Sequence, residues 1–564
     1  MLARWKGQIL ATPVTLWLLL AFAAPLAVVV LLSLHEYADP FGPLFLPPSL
    51  AQFQLVLGDG FYVRVLVETL LLGAGVTLLS AILGFPLALW LVRVPSKWRA
   101  LAFMVILIPL LTNVVVRSLG VVLLLAPDGL INGVLGLVGI GPFNGMLYNH
   151  VAVAIALAQV FMPFIVLALY DVLQGTSPRV YEAATSLGAS PTMAFWTVRF
   201  PLAFPGLRAG VIVVFLMATT AYVSAKLLGG GRVWTTGMLV WQEAISNLNS
   251  PTASALALLM TFASLAFAAL VGWGFAKLMP WQSLKPRGPT LTLPVWAMRL
   301  LDLVAPILSR LLVACALGLL ILPLILVCIQ SVNNVPQGTS AAWKGFTLRW
   351  YELVFTQGGY TDSFLVSVQL ALAATAFALA ISLPAAFALT RFRFPGISAL
   401  SMFWTLPLSL PGVAIGIGML RLLQLFYTVP TFVGLMALHV VLVIPFSISL
   451  LVASVQQLDR AQEEAAQSLG ADGLRRFVLI VIPGLMPGLV ASGIMAFLMS
   501  FGEVTVTSFL TNARTTTLPV RIYAEATFVL EPTVYAVSAS MMLVTLLALV
   551  VMNRVFSVDR LHVR

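Results

Sequence analysis

Twelve stretches of mostly apolar residues recur along this chain, and they leave it one solvent to fold in. They run over 14–34, 65–92, 100–125, 151–173, 207–228 and 254–276, then 309–331, 364–390, 399–422, 433–455, 487–510 and 536–553. A helix needs about 20 apolar residues to cross a bilayer. Inside lipid the backbone must satisfy its own hydrogen bonds, so such stretches form helices. Hydrophobic residues make up 61% of the chain and charged ones 9%, against roughly 25% charged in soluble domains. The expected fold is an all-α integral membrane protein with twelve transmembrane helices.

Several function classes drop out. The net charge of +11 is spread over short gaps between apolar runs, with no Lys/Arg block to bind nucleic acid. Cys315 and Cys328 lie in one apolar segment, too far apart along a helix to pair. His35, His150, His439 and His562 show no ligand spacing, so no metal site is expected. No GxxxxGK[ST] occurs, so this chain holds no P-loop nucleotide and no cofactor is expected within it. A membrane enzyme needs a cluster of nucleophiles or acids at one face, and none stands out. The run Ala21-Phe-Ala-Ala24 resembles a signal cleavage site, but apolar residues continue to Leu34, which favours an uncleaved first span.

Charge sets the orientation. With both termini in the cytoplasm, the inner segments hold 21 of the 30 Lys and Arg residues, as the positive-inside rule requires. The stretch 279–300 carries Pro280, Pro286, Pro289 and Pro294 among polar residues, which suits a cytoplasmic linker. It divides a first half, 1–278, from a second half, 301–564, each with six spans.

A repeated loop links the halves. Glu182-Ala183-Ala184-Thr-Ser-Leu-Gly188-Ala189 is followed by Pro201, Pro205 and Gly206. Glu464-Ala465-Ala466-Gln-Ser-Leu-Gly470-Ala471 is followed by Pro483, Pro487 and Gly488, every position displaced by 282. Both copies, about 174–206 and 456–488, lie between the fourth and fifth spans of their half. Equal span counts place both on the cytoplasmic side, so the halves are parallel repeats. Glu-Ala-Ala favours a short helix with a smooth surface, and the glycines permit a C-terminal turn. The downstream prolines are expected to reset the chain into a second short helix before the next span. The bland alternative is a pair of connecting loops. Against it, the surrounding spans of the two halves have diverged while these loops nearly match.

This loop resembles the EAA loop of ABC importer permeases. The resemblance implies a fold like that of the molybdate, methionine and maltose importer permeases. There the loops are coupling helices seated in two copies of an ABC ATPase that carries ATP and Mg. It also implies an extracytoplasmic solute-binding protein as partner and a place in the bacterial inner membrane. Most relatives are separate chains that dimerise; here one chain supplies both halves. Finer resemblance lies in Pro109-Leu-Leu-Thr112-Asn113-Val-Val-Val-Arg117, Tyr222-Val-Ser-Ala-Lys226, Ser500-Phe-Gly-Glu503 to Ser508, and Leu518-Pro-Val-Arg521-Ile-Tyr523. These look like the two unequal permeases of spermidine/putrescine importers joined end to end, so polyamine-type cargo comes first. Aminoethylphosphonate, ferric iron, thiamine or an opine are alternatives within the branch. Lys226 stands near where some polyamine permeases carry an acid. An ion-coupled secondary transporter is the more distant alternative, and it leaves the matched loops unexplained.

Polar residues at bilayer depth are costly and tend to line paths. Thr112, Asn113 and Arg117 share a helical face. Glu503, taken to lie in the eleventh span, has Thr505, Thr507 and Ser508 nearby. Thr112, Asn113, Arg117, Tyr222, Glu503 and Thr507 form the candidate substrate path. For Arg117 and Glu503 a structural ion pair or helix cap is the equal alternative. Tyr222 is also read, with Trp234 and Trp241, as part of the interfacial aromatic belt. Lys226 and Arg421 are expected to snorkel to the outer surface, and Glu68 to sit near the outer interface.

Overall fold

A computed structural model describes residues 2–36, 47–278, 295–335, 341–356, 359–408, 410–426, 429, 431–528 and 530–555. Among these, the secondary structure is helical apart from one isolated bridge between Asn333 and Phe346. Eleven helices are long and apolar enough to cross a membrane, and one bent pair raises the number to twelve. The proline-rich stretch 279–294 lies outside the described residues. The linker expected over 279–300 is shorter than that, because the chain is already helical from Val295.

The repeat governs the architecture beyond the loop. Gly120, in the third span, lies so close to the seventh that an added Cβ would stand 2.2 Å from the Pro323 carbonyl oxygen. Gly418, in the ninth span, meets the Pro25 carbonyl oxygen of the first at the same 2.2 Å. Each partner is displaced by 298 positions, 120 to 418 and 25 to 323. Absence of a side chain is what lets two helix backbones approach this closely. The first helix of each half therefore crosses onto the other half. Val295–Gln330 packs along the second and third spans, and Leu2–Ser33 along the eighth and ninth. Trp404 adds an indole N–H bond to Thr15 Oγ1 at 3.1 Å. The sequence halves are thus interlocked in space.

A second matched pair ties down the short helices that follow the fifth and eleventh spans. Thr69 Oγ1 accepts from the Thr236 backbone N–H at 2.9 Å, and Ser367 Oγ from that of Leu518 at 2.7 Å. Tyr62 donates to Glu243 at 2.9 Å, and Tyr360 to Glu525. Each hydroxyl thus satisfies a backbone or carboxylate group that lipid cannot. Positions before the fourth span keep the 298 offset and those after it 282. The difference falls in the loop between the third and fourth spans, where the first half adds the helix Leu130–Leu137.

Three expectations need correction. The third and ninth spans are broken: Ser96–Leu111 gives way to Val114–Leu125, and Ile397–Leu408 meets Gly412–Leu425 at 94°. The fifth and eleventh spans are Pro191–Thr220 and Gly473–Phe501, shifted from 207–228 and 487–510. Pro201, Pro205, Pro483 and Pro487 do not separate a short helix from its span. They follow π-turns at Phe195–Arg199 and Phe477–Val481, and the helix runs through them. A π-turn shifts the hydrogen-bond register, which accommodates prolines that lack an N–H. At the far ends, Thr219 and Thr220 turn their hydroxyls onto the carbonyls of Leu216 and Met217, and the helix stops while the apolar sequence continues.

Candidate functional site: two matched loops and a cavity between the halves

The two repeat helices are Pro178–Ser186 and Arg460–Ser468. Each ends in the same motif. Gly188 has φ +89° and Gly470 φ +83°, the left-handed region that glycine enters freely. The Gly188 N–H reaches the Thr185 carbonyl and the Ala189 N–H the Ala184 carbonyl, at 3.0 and 3.1 Å. Gly470 and Ala471 bond to Gln467 and Ala466 in the same way, both at 3.0 Å. This is a Schellman C-cap: the last Ala of Glu-Ala-Ala opens a hydrogen-bonded turn that passes through the left-handed Gly and closes on the Ala after it. Ser190 and Asp472 then cap the next helix, accepting from Met193 and Arg475 N–H at 3.3 and 2.7 Å.

The turn lifts one apolar side chain into the open in each copy. Leu187 is 88% exposed and Leu469 89%. Glu182, Ala183, Glu464 and Ala465 are exposed beside them, Ala184 is half-buried and Ala466 buried. The loops are anchored differently. Asp302, at the start of the seventh span, accepts from the Thr192 N–H at 2.8 Å and from Ser190 Oγ at 3.3 Å. In the other copy Arg391, ending the eighth span, pairs with Glu463 at 2.9 Å. Each loop is therefore tied to a span, the first of them across the halves.

A cavity of about 270 Å³ opens between the halves where the spans break. Thr112, Arg117, Tyr222 and Glu503 line it, with Thr220 and Thr505. Asn113 is at the break itself. Its Oδ1 accepts from the Val115 N–H at 2.7 Å, capping the helix Val114–Leu125, and its Nδ2 donates to the Gly502 carbonyl at 2.8 Å. Both bonds replace those the interrupted helices lose. Arg117 follows one turn on, 5% exposed, with Nε and Nη1 buried and without a hydrogen-bond partner.

Glu503 is not within the eleventh span, which ends at Phe501. It sits in the loop beyond, where its carboxylate accepts from the Val506 N–H at 2.8 Å. It also lines the cavity, and no ion pair joins it to Arg117 among the described residues. Tyr222 is 1% exposed, between Trp241 and Tyr523 with ring centroids 6.2 and 5.7 Å away. Burial at the wall of the cavity removes it from an aromatic belt. Thr507 is off the cavity. Its hydroxyl meets His439 Nε2 at 3.0 Å, while His439 Nδ1 meets Ser500 Oγ at 2.7 Å. His439 thereby pins the loop after the eleventh span against its own helix. Sequence reading passed over His439 because a lone histidine in an apolar run carries no spacing signal.

Arg421 does not snorkel. It is 4% exposed and bonds Gln424 Oε1 at 3.0 Å. Lys226 is half-buried with its ammonium 5.9 Å from the Trp234 ring, a cation–π contact. Glu68 pairs with Arg64 at 2.8 Å and lies 3.8 Å from His150.

Residues 121–282 and 378–558 match the family described as binding-protein-dependent transport system inner membrane component. The chain is similar to the spermidine/putrescine transport system permease protein PotB of Haemophilus influenzae, 31% identical over 232 residues, 41% of this chain and 75% of the relative. PotC of the same organism is 29% identical over 243 residues, 43% of this chain and 93% of the relative. The ferric transport system permease protein FbpB of Actinobacillus pleuropneumoniae is 24% identical over 491 residues, 84% of this chain and 68% of the relative. A solved bacterial alginate ABC transporter in complex with its pentasaccharide-bound periplasmic protein gives a remote likeness, at 15% identity and TM-score 0.42 over 49% of this chain and 95% of that one. The family pattern falls once on each half of a membrane-embedded helical chain, and the chain belongs to the binding-protein-dependent inner membrane components, the permeases of ABC importers.

Proposed function

We propose that this chain forms the whole translocation path of an ATP-driven importer, with two copies of an ABC ATPase seated on the two matched loops. The carrying observation is the pair of Schellman-capped helices, which share Glu-Ala-Ala and the same glycine turn, each presenting one exposed leucine. Two equivalent knobs suit a two-fold ATPase. ATP and Mg belong to that partner, whose closure moves the loops and rocks the halves around the cavity. A solute-binding protein delivers cargo from the opposite side. The positive-inside bias supports cytoplasmic termini and cytoplasmic loops in a bacterial inner membrane. The test is Glu182→Lys combined with Glu464→Lys. Transport and ATPase co-purification should be lost while membrane insertion is kept; undiminished transport counts against the reading.

Similarity and geometry rank the cargo differently. Polyamine-type cargo comes first by similarity, since PotB and PotC are spermidine/putrescine permeases by name, and FbpB extends the range to ferric transport. A solute carrying an anionic group is the second reading, and the unpaired Arg117 on the cavity wall favours it. Uptake of labelled spermidine, with and without excess aminoethylphosphonate, in cells with and without the gene separates the two.

A further inference from the structure

We infer that Arg117 is an anion-binding residue of the path, and that the cargo carries a carboxylate, phosphate or phosphonate group. The inference rests on the reading of the cavity as the translocation path and decides between the two cargo classes.

Arg117 is 95% withdrawn from solvent, since 5% of it is exposed, and it lines the cavity. Its Nε and Nη1 make no hydrogen bond, and it forms no ion pair among the described residues. A guanidinium buried without a partner is unfavourable, and an apolar side chain of similar length is the more stable occupant of such a site. The nearby acid makes no ion pair with it among the described residues; the Glu503 carboxylate accepts instead from the Val506 N–H of its own loop.

The backbone adds to the positive potential. The second part of the third span, Val114–Leu125, begins at the cavity with Thr112, Val114 and Arg117 on the wall. Its counterpart Gly412–Leu425 begins there too, with Gly412 on the lining. Breaking a span in each half aims two helix N-termini at one central space. N-termini carry the positive end of the helix dipole, and at the first of them Asn113 satisfies the Val115 N–H and leaves its neighbours open. Two such ends and an unpaired guanidinium converge on a volume of about 270 Å³, the size of a small solute. Arg matches carboxylate and phosphonate oxygens with parallel N–H donors. A polycation meets repulsion from all three.

The test uses the purified full-length chain in nanodiscs, with thermal unfolding as readout and 2-aminoethylphosphonate, inorganic phosphate and spermidine as probes at millimolar concentration. Without any probe, Arg117→Leu should unfold at or above the wild-type temperature. At least one of the two anions should raise the wild-type midpoint, leave Arg117→Leu unmoved and raise Arg117→Lys in part, whereas spermidine raises none. In cells, uptake of the stabilising anion should fall about tenfold or more in Arg117→Leu, as loss of a charge-assisted bond implies. A lower midpoint for Arg117→Leu without probe would make Arg117 a structural partner and overturn the proposal. So would no anion shift in wild type, an equal shift in the variant, or a shift by spermidine alone. ATPase co-purification should be unchanged in Arg117→Leu. Failure of the importer reading would show instead in the loop variants.

Discussion

The Asn113 side-chain amide donates to the Gly502 carbonyl at 2.8 Å, joining the break in the third span to the end of the eleventh. One residue before the bond lies Thr112 and one after it Glu503, both on the cavity wall. A single side chain thus holds together two interruptions from different halves, each of which would otherwise leave backbone groups unpaired at bilayer depth.

Two substitutions separate the functions of Asn113. Asn113→Asp keeps an acceptor for the Val115 N–H but loses the donor to Gly502; Asn113→Ala loses both. Each lost bond is expected to cost about 1–2 kcal/mol, and a carboxylate facing the Gly502 carbonyl adds repulsion. Thermal unfolding in detergent should show both variants below wild type, with transport reduced in each. A wild-type midpoint for Asn113→Ala contradicts the bridge.

Gly120→Ala and Gly418→Ala test the interlocked first helices. Each added methyl meets a carbonyl oxygen at 2.2 Å, backbone that cannot swing aside. Both should destabilise by about 1–3 kcal/mol and by similar amounts, since the crossings are equivalent. A cost at one position only argues that the halves do not share this crossing.

Gly188→Ala and Gly470→Ala strain a left-handed residue in open space, where no atom lies within 4 Å of an added Cβ. The expected cost is about 1 kcal/mol each. Asn at the same positions should recover part of it, because Asn tolerates this conformation. The measurement is unfolding compared with transport. Transport should drop by more than stability explains, because the turn sets the position of Leu187 and Leu469.

His439→Ala leaves the Ser500 and Thr507 hydroxyls without their shared partner. A cost of about 1–3 kcal/mol is expected, with His439→Gln recovering part of it. Limited proteolysis of the loop after Phe501 reports the same loss of order. Unchanged stability in His439→Ala means that the pin carries no load.

Much of this was legible in the sequence, for identifiable reasons. Hydropathy alone placed most of the spans, because lipid allows few backbone solutions, but it set the fifth and eleventh too far along the chain. The matched loops were legible because Glu-Ala-Ala and Gly are the parts of a local hydrogen-bonded turn, whose spacing is written in consecutive residues. Thr112, Arg117, Tyr222 and Glu503 were singled out as polar residues in apolar surroundings, and the fold brings them to one cavity. What was illegible depends on partners far along the chain. The breaks at Asn113 and after Phe501 fall inside stretches that read as single spans, and the cross-half bond between 113 and 502 is one of those that hold them there. The crossing of Gly120 with Pro323 has no local signature either, since Gly in an apolar helix is common. Arg421 read as an outer-surface residue because it lies near the end of its span, and its bond to Gln424 has no signature in the sequence.

The central claim is that the two matched loops are the seats of the ATPase, and the most direct measurement is co-purification of that ATPase with a chain carrying Leu187→Asp and Leu469→Asp. Both leucines stand almost wholly in the open, at 88% and 89% exposure, so the double variant should fold and unfold like the wild type. The account predicts that it loses the ATPase and loses transport, with each single variant weakened. Full co-purification and undiminished uptake by the double variant would contradict it.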